Sequence, residues 1–187
     1  MMLAVAVCAP AIAEKPGDKS ADPRVKFKDG ARYLGDLSEA LQIPRDTICK
    51  ELGRYDCDTD AFKIVLGGVE PYRDAIEEPF STASLATPIA LDRVALRVCT
   101  ERVAEDVKNP EKALLYRAAS PDKKWKKATI ARIYDRLLER DATPDEVSRL
   151  LAFYDTVAAD PSKTDAPREW TVLGCFSVAS SLESVFY

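Results

Sequence analysis

Three times in this chain a small hydroxylated residue stands directly before a proline: Thr87-Pro88, Ser120-Pro121 and Thr143-Pro144. A side-chain oxygen at a helix N-cap accepts from one of the first unpaired backbone N–H groups. A proline at the next position has no N–H to leave unpaired and a φ already suited to the helix. Each pair therefore predicts a helix start. Thr143-Pro144-Asp145-Glu146 adds a glutamate three residues after the cap, which predicts a reciprocal capping box. Asp165-Ala166-Pro167 opens a fourth helix.

Apolar residues follow each start at helical spacing. The first run holds Leu91, Val94, Ala95, Val98, Arg102 and Val103, reaches Val107, and is stopped by Asn109-Pro110. The second holds Ile130, Ile133, Tyr134, Leu137 and Leu138, and the third Val147, Leu150, Leu151, Tyr154, Val157 and Ala158. The last holds Trp170, Leu173, Phe176, Ala179 and Leu182 and is expected to stay helical to the C-terminus. Strand-like alternation is nearly absent. Smaller helices are expected over Leu37–Gln42, over Pro44–Leu52 with Gly53 as its stop, and over Thr59–Leu66 before Gly67-Gly68. The expected fold is all-α: a single bundle of about four longer helices with smaller N-terminal ones. The segments share no fixed period, which argues against a solenoid.

The cysteines bear on compartment. Residues 1–13 form an uncharged, mostly apolar run that ends in Ala11-Ile12-Ala13 and turns charged at Glu14-Lys15. That is the pattern of a signal-peptide core with its cleavage site, and the missing positive region places the natural start upstream of Met1. Residues 14–32 then read as a flexible leader, and residues 33–187 as the helical domain. The body carries Cys49, Cys57, Cys99 and Cys175. In an exported protein these imply two disulfides, with three possible connectivities. Cys49–Cys57 plus Cys99–Cys175 is the favoured pair, one closing a short loop and one tying distant helices. The expected localisation is periplasmic or secreted. No run approaches the ~20 apolar residues of a membrane helix.

The chain has no histidine, which removes the commonest catalytic base and metal ligand. No Gly-x-Ser-x-Gly, phosphate loop or haem-attachment motif is present. Ser120-Pro-Asp-Lys123 matches Ser-x-x-Lys literally, but Ser120 reads better as a cap. Asp56, Asp58 and Asp60 occupy the first, third and fifth places of a calcium loop, yet Ala61 stands where glycine is required and Gly67 where a glutamate is required. The expectation is therefore a non-enzyme with no cofactor and no metal; a small-ligand or calcium-binding domain using these aspartates and Glu70 is the alternative. The net charge of −4 argues against nucleic acid. The features suited to a protein partner are the basic cluster Lys123-Lys124-Trp125-Lys126-Lys127 and the Pro-rich stretch from Val69 to Ala86, with Glu70 and Tyr72. Four lysines in the first turns of a helix oppose its dipole, a local cost that hints at an anionic partner, although a solvated face with Trp125 turned into the core is the favoured reading.

From Arg132-Ile-Tyr-Asp-Arg-Leu-Leu-Glu-Arg-Asp-Ala-Thr-Pro-Asp-Glu-Val147 through Leu150-Leu-Ala-Phe153 and Trp170 to Tyr187, the chain resembles a known module. This is the C-terminal helical module of uncharacterised secreted planctomycete and myxobacterial proteins associated with cytochrome c domains. The resemblance covers about residues 127–187 and rests on caps and core positions. It implies an exported bacterial adaptor of the cell envelope and carries no activity.

Overall fold

The computed structural model describes residues 26–69, 72, 84–118 and 121–186. Among these the architecture is mostly helical and braced by two disulfides, with one two-stranded ribbon. The elements are α1 (Gly30–Leu41), β1 (Lys50–Glu51), β2 (Tyr55–Asp56), α2 (Ala86–Lys108), α3 (Lys123–Leu138), α4 (Pro144–Ala159), α5 (Ala166–Ala179) and α6 (Leu182–Val185).

At the centre lies α5, which packs on α2, α3 and α4. Its Trp170, Thr171, Cys175, Val178 and Ala179 are buried. Trp170 is fully enclosed and donates its indole N–H to the Leu150 carbonyl at 3.0 Å, so its one polar atom is satisfied inside the core. Tyr154 meets the Trp170 ring edge-on with centroids 5.4 Å apart. From α1, Tyr33 reaches across and donates its hydroxyl to the Ala179 carbonyl at 2.8 Å. Burial pushes the Tyr33 phenol well above its ordinary range.

The longest helix, α2, buries Leu91, Val94, Ala95, Val98, Cys99, Arg102 and Val103, the stripe its spacing predicts. Cys99 on this stripe is bonded to Cys175 of α5. The capping box is present: Thr143 Oγ1 accepts from Glu146 N–H, and Glu146 returns a bond to the Thr143 N–H at 2.7 Å. Asp165 caps α5.

Several expected boundaries move. Ser120 lies outside the described residues; Asp122 caps α3, accepting from Trp125 N–H at 2.7 Å. Thr87 lies inside α2 rather than before it. Its buried hydroxyl donates to the Val65 carbonyl at 3.0 Å, and Ser84 Oγ accepts from the Ala86 N–H instead. The residues from Lys26 to Arg32, expected to belong to a flexible leader, take part in the fold. Asp29 caps α1, which is longer than Leu37–Gln42, and an antiparallel bridge joins Phe27 to Phe186. Gly30 is required at this start because a Cβ there would lie 2.8 Å from Leu66 Cβ.

Two expected helices are not formed. Pro44–Leu52 becomes a turn and then β1. The Cys49–Cys57 disulfide and the tight turn at Leu52-Gly53 fold it back as a hairpin with Lys50 opposite Asp56 and Glu51 opposite Tyr55. Thr59–Leu66 starts within a π-helical turn (Cys57–Ala61) and continues as turns, although Gly67 does take the expected left-handed φ of 83°. The final helix breaks at Ser180. Ser181 starts the short α6, and Val185 accepts from Lys28 N–H at 2.9 Å.

Candidate functional site

The disulfide-locked hairpin presents its turn to solvent. Arg54 N–H donates to the Glu51 carbonyl at 3.1 Å, and both central residues have left-handed φ, 52° at Leu52 and 74° at Gly53. Glycine takes that region freely; leucine pays about 1 kcal/mol or more to sit there. Leu52 is 86% exposed, so core packing does not compensate for that conformation.

Beside the turn runs the outer face of α2. Leu85, Ile89, Arg93, Leu96 and Thr100 recur at helical spacing, opposite the buried stripe. Leu85 is 96% and Ile89 63% exposed, and Leu96 is exposed as well. A cleft of about 650 Å³ opens between hairpin and helix, lined by Leu52, Tyr55, Ala61, Phe62, Ile89 and Arg93 among others. On the other flank of Leu52 lies a second, smaller cleft of about 470 Å³ reaching Leu96 and Thr100.

Arg93 ties the two elements together. Its Nε and Nη2 donate to the two Glu51 carboxylate oxygens at 3.0 and 2.8 Å, the bidentate geometry suited to guanidinium and carboxylate. This pairing holds the Glu51 carboxyl below its ordinary range and Arg93 above its own. The Arg93 guanidinium also lies 5.8 Å from the Phe62 ring centroid. The result is a fixed, largely apolar surface with a neutralised charge pair at its centre. Such a surface can bury area against a partner without desolvating an unpaired ion.

The residues singled out from sequence fall in several places. Cys49–Cys57 and Cys99–Cys175 are the observed bonds. Glu70 lies outside the described residues, as does most of the stretch from Val69 to Ala86; Tyr72 is fully exposed. The basic cluster is divided. Lys123, Lys124 and Lys127 point to solvent, but Trp125 turns into the core, 8% exposed, with its N–H on the Arg117 carbonyl at 2.7 Å and its ring 5.8 Å from Trp170. Lys126 lies over the Tyr154 ring at 3.9 Å. Trp125 is therefore a core residue and not part of an exposed contact. Of the three aspartates, Asp56 pairs with Lys50 at 2.6 Å, Asp58 pairs with Arg45, and Asp60 accepts from the Asp56 N–H at 3.2 Å. Among the described residues no group of three Asp, Glu, Cys or His converges on a metal-sized site.

Leu52, Tyr55, Ile89, Arg93 and Leu96 were not singled out by the sequence reading. The signal was present in α2, where Leu85, Ile89 and Leu96 form a second apolar stripe off the core face. No protein-family model matches the chain, and neither a curated protein nor a solved structure matches it significantly. The two disulfides fit an oxidising compartment. Among the described residues no helix is long and apolar enough to cross a membrane.

Proposed function

We propose that this chain is a non-catalytic helical interaction module of the bacterial cell envelope, exported to the periplasm or beyond, that docks a protein partner through its hairpin and the outer face of α2. The observation that carries the reading is Leu52: an exposed leucine in a left-handed conformation, at the tip of a hairpin closed by a disulfide, on the rim of a cleft that also exposes Ile89. Local strain and apolar exposure both disfavour such a residue unless something covers it. The apolar run 1–13 ending in Ala-Ile-Ala supports export, and the resemblance of residues 127–187 to secreted bacterial modules supports an adaptor role.

The test is affinity capture from envelope extracts with wild type, Leu52→Asp and Ile89→Asp proteins, compared by quantitative mass spectrometry. Both side chains are exposed, so both variants should fold. Loss of a reproducible partner from both variants supports the reading. Identical partner sets in all three overturn it. A Lys123→Glu, Lys124→Glu, Lys127→Glu variant tests the basic patch in the same assay: partners lost with it alone would transfer the docking role to the start of α3.

A further inference from the structure

We propose that Arg117 and Arg132, with Lys124 beside them, form a binding site for a phosphate group, apart from the docking face. Both arginines are held by the segment that joins α2 to α3. Arg117 Nε donates to the Ala113 carbonyl at 3.3 Å. Arg132 Nε and Nη2 donate to the Leu115 carbonyl, two residues further on, at 3.3 and 3.0 Å, and Nη2 also reaches Thr129 Oγ1 at 2.8 Å. Backbone oxygens thus keep two guanidinium groups in one neighbourhood without supplying any negative charge. Arg132 Nη1 and both Nη atoms of Arg117 have no hydrogen-bond partner among the described residues. Lys124, Ala128 and Arg132 follow one another at four-residue intervals along α3, and the small, exposed Ala128 leaves room between the two cations.

Among the described residues, none of Arg117, Lys124 and Arg132 forms an ion pair, although Arg132 is half-buried. The nearby carboxylates are engaged elsewhere. Asp106 is saturated by Arg102 and three backbone N–H groups. Asp122 accepts from the Trp125 N–H as the cap of α3, and Asp135 lines the cleft between α1 and the end of α3. Burial, and next the Arg117 charge, push the Arg132 guanidinium below its ordinary range, and Asp106 offsets them only in part. A half-buried cation beside a second one is unfavourable until an anion meets both. Phosphate answers that need better than a carboxylate. Its oxygens match the fork of an arginine, and its nearly doubled charge at neutral pH can meet two guanidinium groups and a lysine at once. A carboxylate, with one charge and two oxygens, satisfies one fork and leaves the other unmet.

Isothermal titration calorimetry of the oxidised protein with sodium phosphate, against sodium chloride at matched ionic strength, tests this. The Arg117 side chain is exposed, so Arg117→Gln should fold as the wild type does. It should weaken phosphate binding about tenfold or more, the loss expected for a hydrogen bond to a charged group. Arg132→Gln should weaken binding as much, but it also frees the Leu115 carbonyl, so the Arg117 variant decides. Arg149→Gln, exposed near the start of α4 and paired with Asp145, should bind as the wild type. Cosedimentation with phosphatidylcholine vesicles, with and without phosphatidic acid, separates the two sources of a phosphate group. Retention on phosphatidic acid vesicles alone, lost in Arg117→Gln, assigns the site to a lipid headgroup. Phosphate heat without retention assigns it to a soluble phosphate compound. A wild type with neither phosphate-specific heat nor vesicle retention overturns the inference, as does an Arg117→Gln protein that matches the wild type in both.

Discussion

Arg102 and Asp106 stand one helical turn apart on the buried face of α2 and meet at 2.8 Å, both nearly excluded from water. Asp106 also accepts three backbone N–H bonds, from Leu114, Leu115 and Tyr116, at 2.8 to 2.9 Å. Arg102 donates to the Leu41 carbonyl at the end of α1 at 3.1 Å. One ion pair thus fastens three pieces of chain: the end of α1, the last turns of α2 and the segment leading to α3. Arg132 closes the same region from α3, donating to the Leu115 carbonyl at 3.0 Å, and burial pulls its guanidinium below the ordinary range.

Removing Asp106 is expected to be among the most damaging single changes. Asp106→Ala leaves a buried guanidinium and three backbone donors unpaired, a loss of about 3–5 kcal/mol. Asp106→Asn keeps the shape and one acceptor and should cost less. Urea unfolding of both variants checks the order. An Asp106→Ala protein within 1 kcal/mol of wild type, roughly the scatter of surface changes, would show that the carboxylate does not organise this junction.

Arg140 joins the end of α3 to α4 and α6 by donating to both Glu146 and Glu183 at 2.7 to 3.0 Å. The Arg140 hydrogen bond, with help from the Thr143 backbone, holds the Glu146 carboxyl down to about 2 from its ordinary 4.5. Arg140 lowers Glu183 as well. A carboxylate depressed in the folded state stabilises fully above its unfolded pKa and loses that contribution as pH falls through the folded one. The melting temperature should therefore be flat above about pH 5 and drop between about 4.5 and 2. Glu183 is exposed and Glu146 only partly buried, so added salt should shrink the effect. Glu146→Gln should lower the melting temperature at pH 7 and flatten the acid drop; an unchanged acid limb in that variant would remove Glu146 from the account.

Much of this fold is legible in the sequence because local chemistry and tertiary need agree. Thr143 and Glu146 specify a helix start with no help from elsewhere, and the Leu91-to-Val103 stripe fits one face of one helix. The N-terminal third was misread where they disagree. Pro44-Arg-Asp-Thr has the form of a helix opening, but the Cys49–Cys57 bond and a left-handed Leu52 impose a hairpin that no propensity announces. Trp125 is the easier case: an indole among four lysines suits a solvated helix face with its ring turned inward, and α3 does place it in the core, its ring 5.8 Å from Trp170 and tilted by 44°. The exposed apolar face of hairpin and α2 was hidden because an exposed leucine and a buried one look alike in sequence; only the hairpin's placement beside α2 separates them.

Trp125 and its lysine neighbours should therefore behave oppositely on substitution. Trp125→Ala removes a buried ring in contact with Tyr116 and Trp170, and should cost about 3–5 kcal/mol together with near-ultraviolet dichroism. Replacing Lys123, Lys124 and Lys127 by glutamate should leave stability within about 0.5 kcal/mol per site, or raise it slightly, because acidic residues suit the first turn of a helix. A Trp125→Ala protein that melts like the wild type would return the indole to the surface.

The two disulfides should differ in what they hold. Cys99–Cys175 spans 76 residues and joins α2 to the central α5, both sulfurs buried. Cys49–Cys57 spans 8 and closes only the hairpin. On loop-entropy grounds the long bridge restricts the unfolded chain by about 4–5 kcal/mol and the short one by about 2–3. Paired alanine substitutions should follow that order in urea unfolding. Their patterns in hydrogen exchange should also separate. Loss of Cys99–Cys175 is expected to raise exchange across α2 and α5 together, because the bundle opens as a unit. Loss of Cys49–Cys57 should release only the amides around β1 and β2, leaving the helices protected while the Leu52 tip loses its fixed aim. If instead the short bridge controlled global stability, the hairpin would be part of the folding core rather than a rigid arm mounted on it, and the docking role assigned to its tip would need a different foundation.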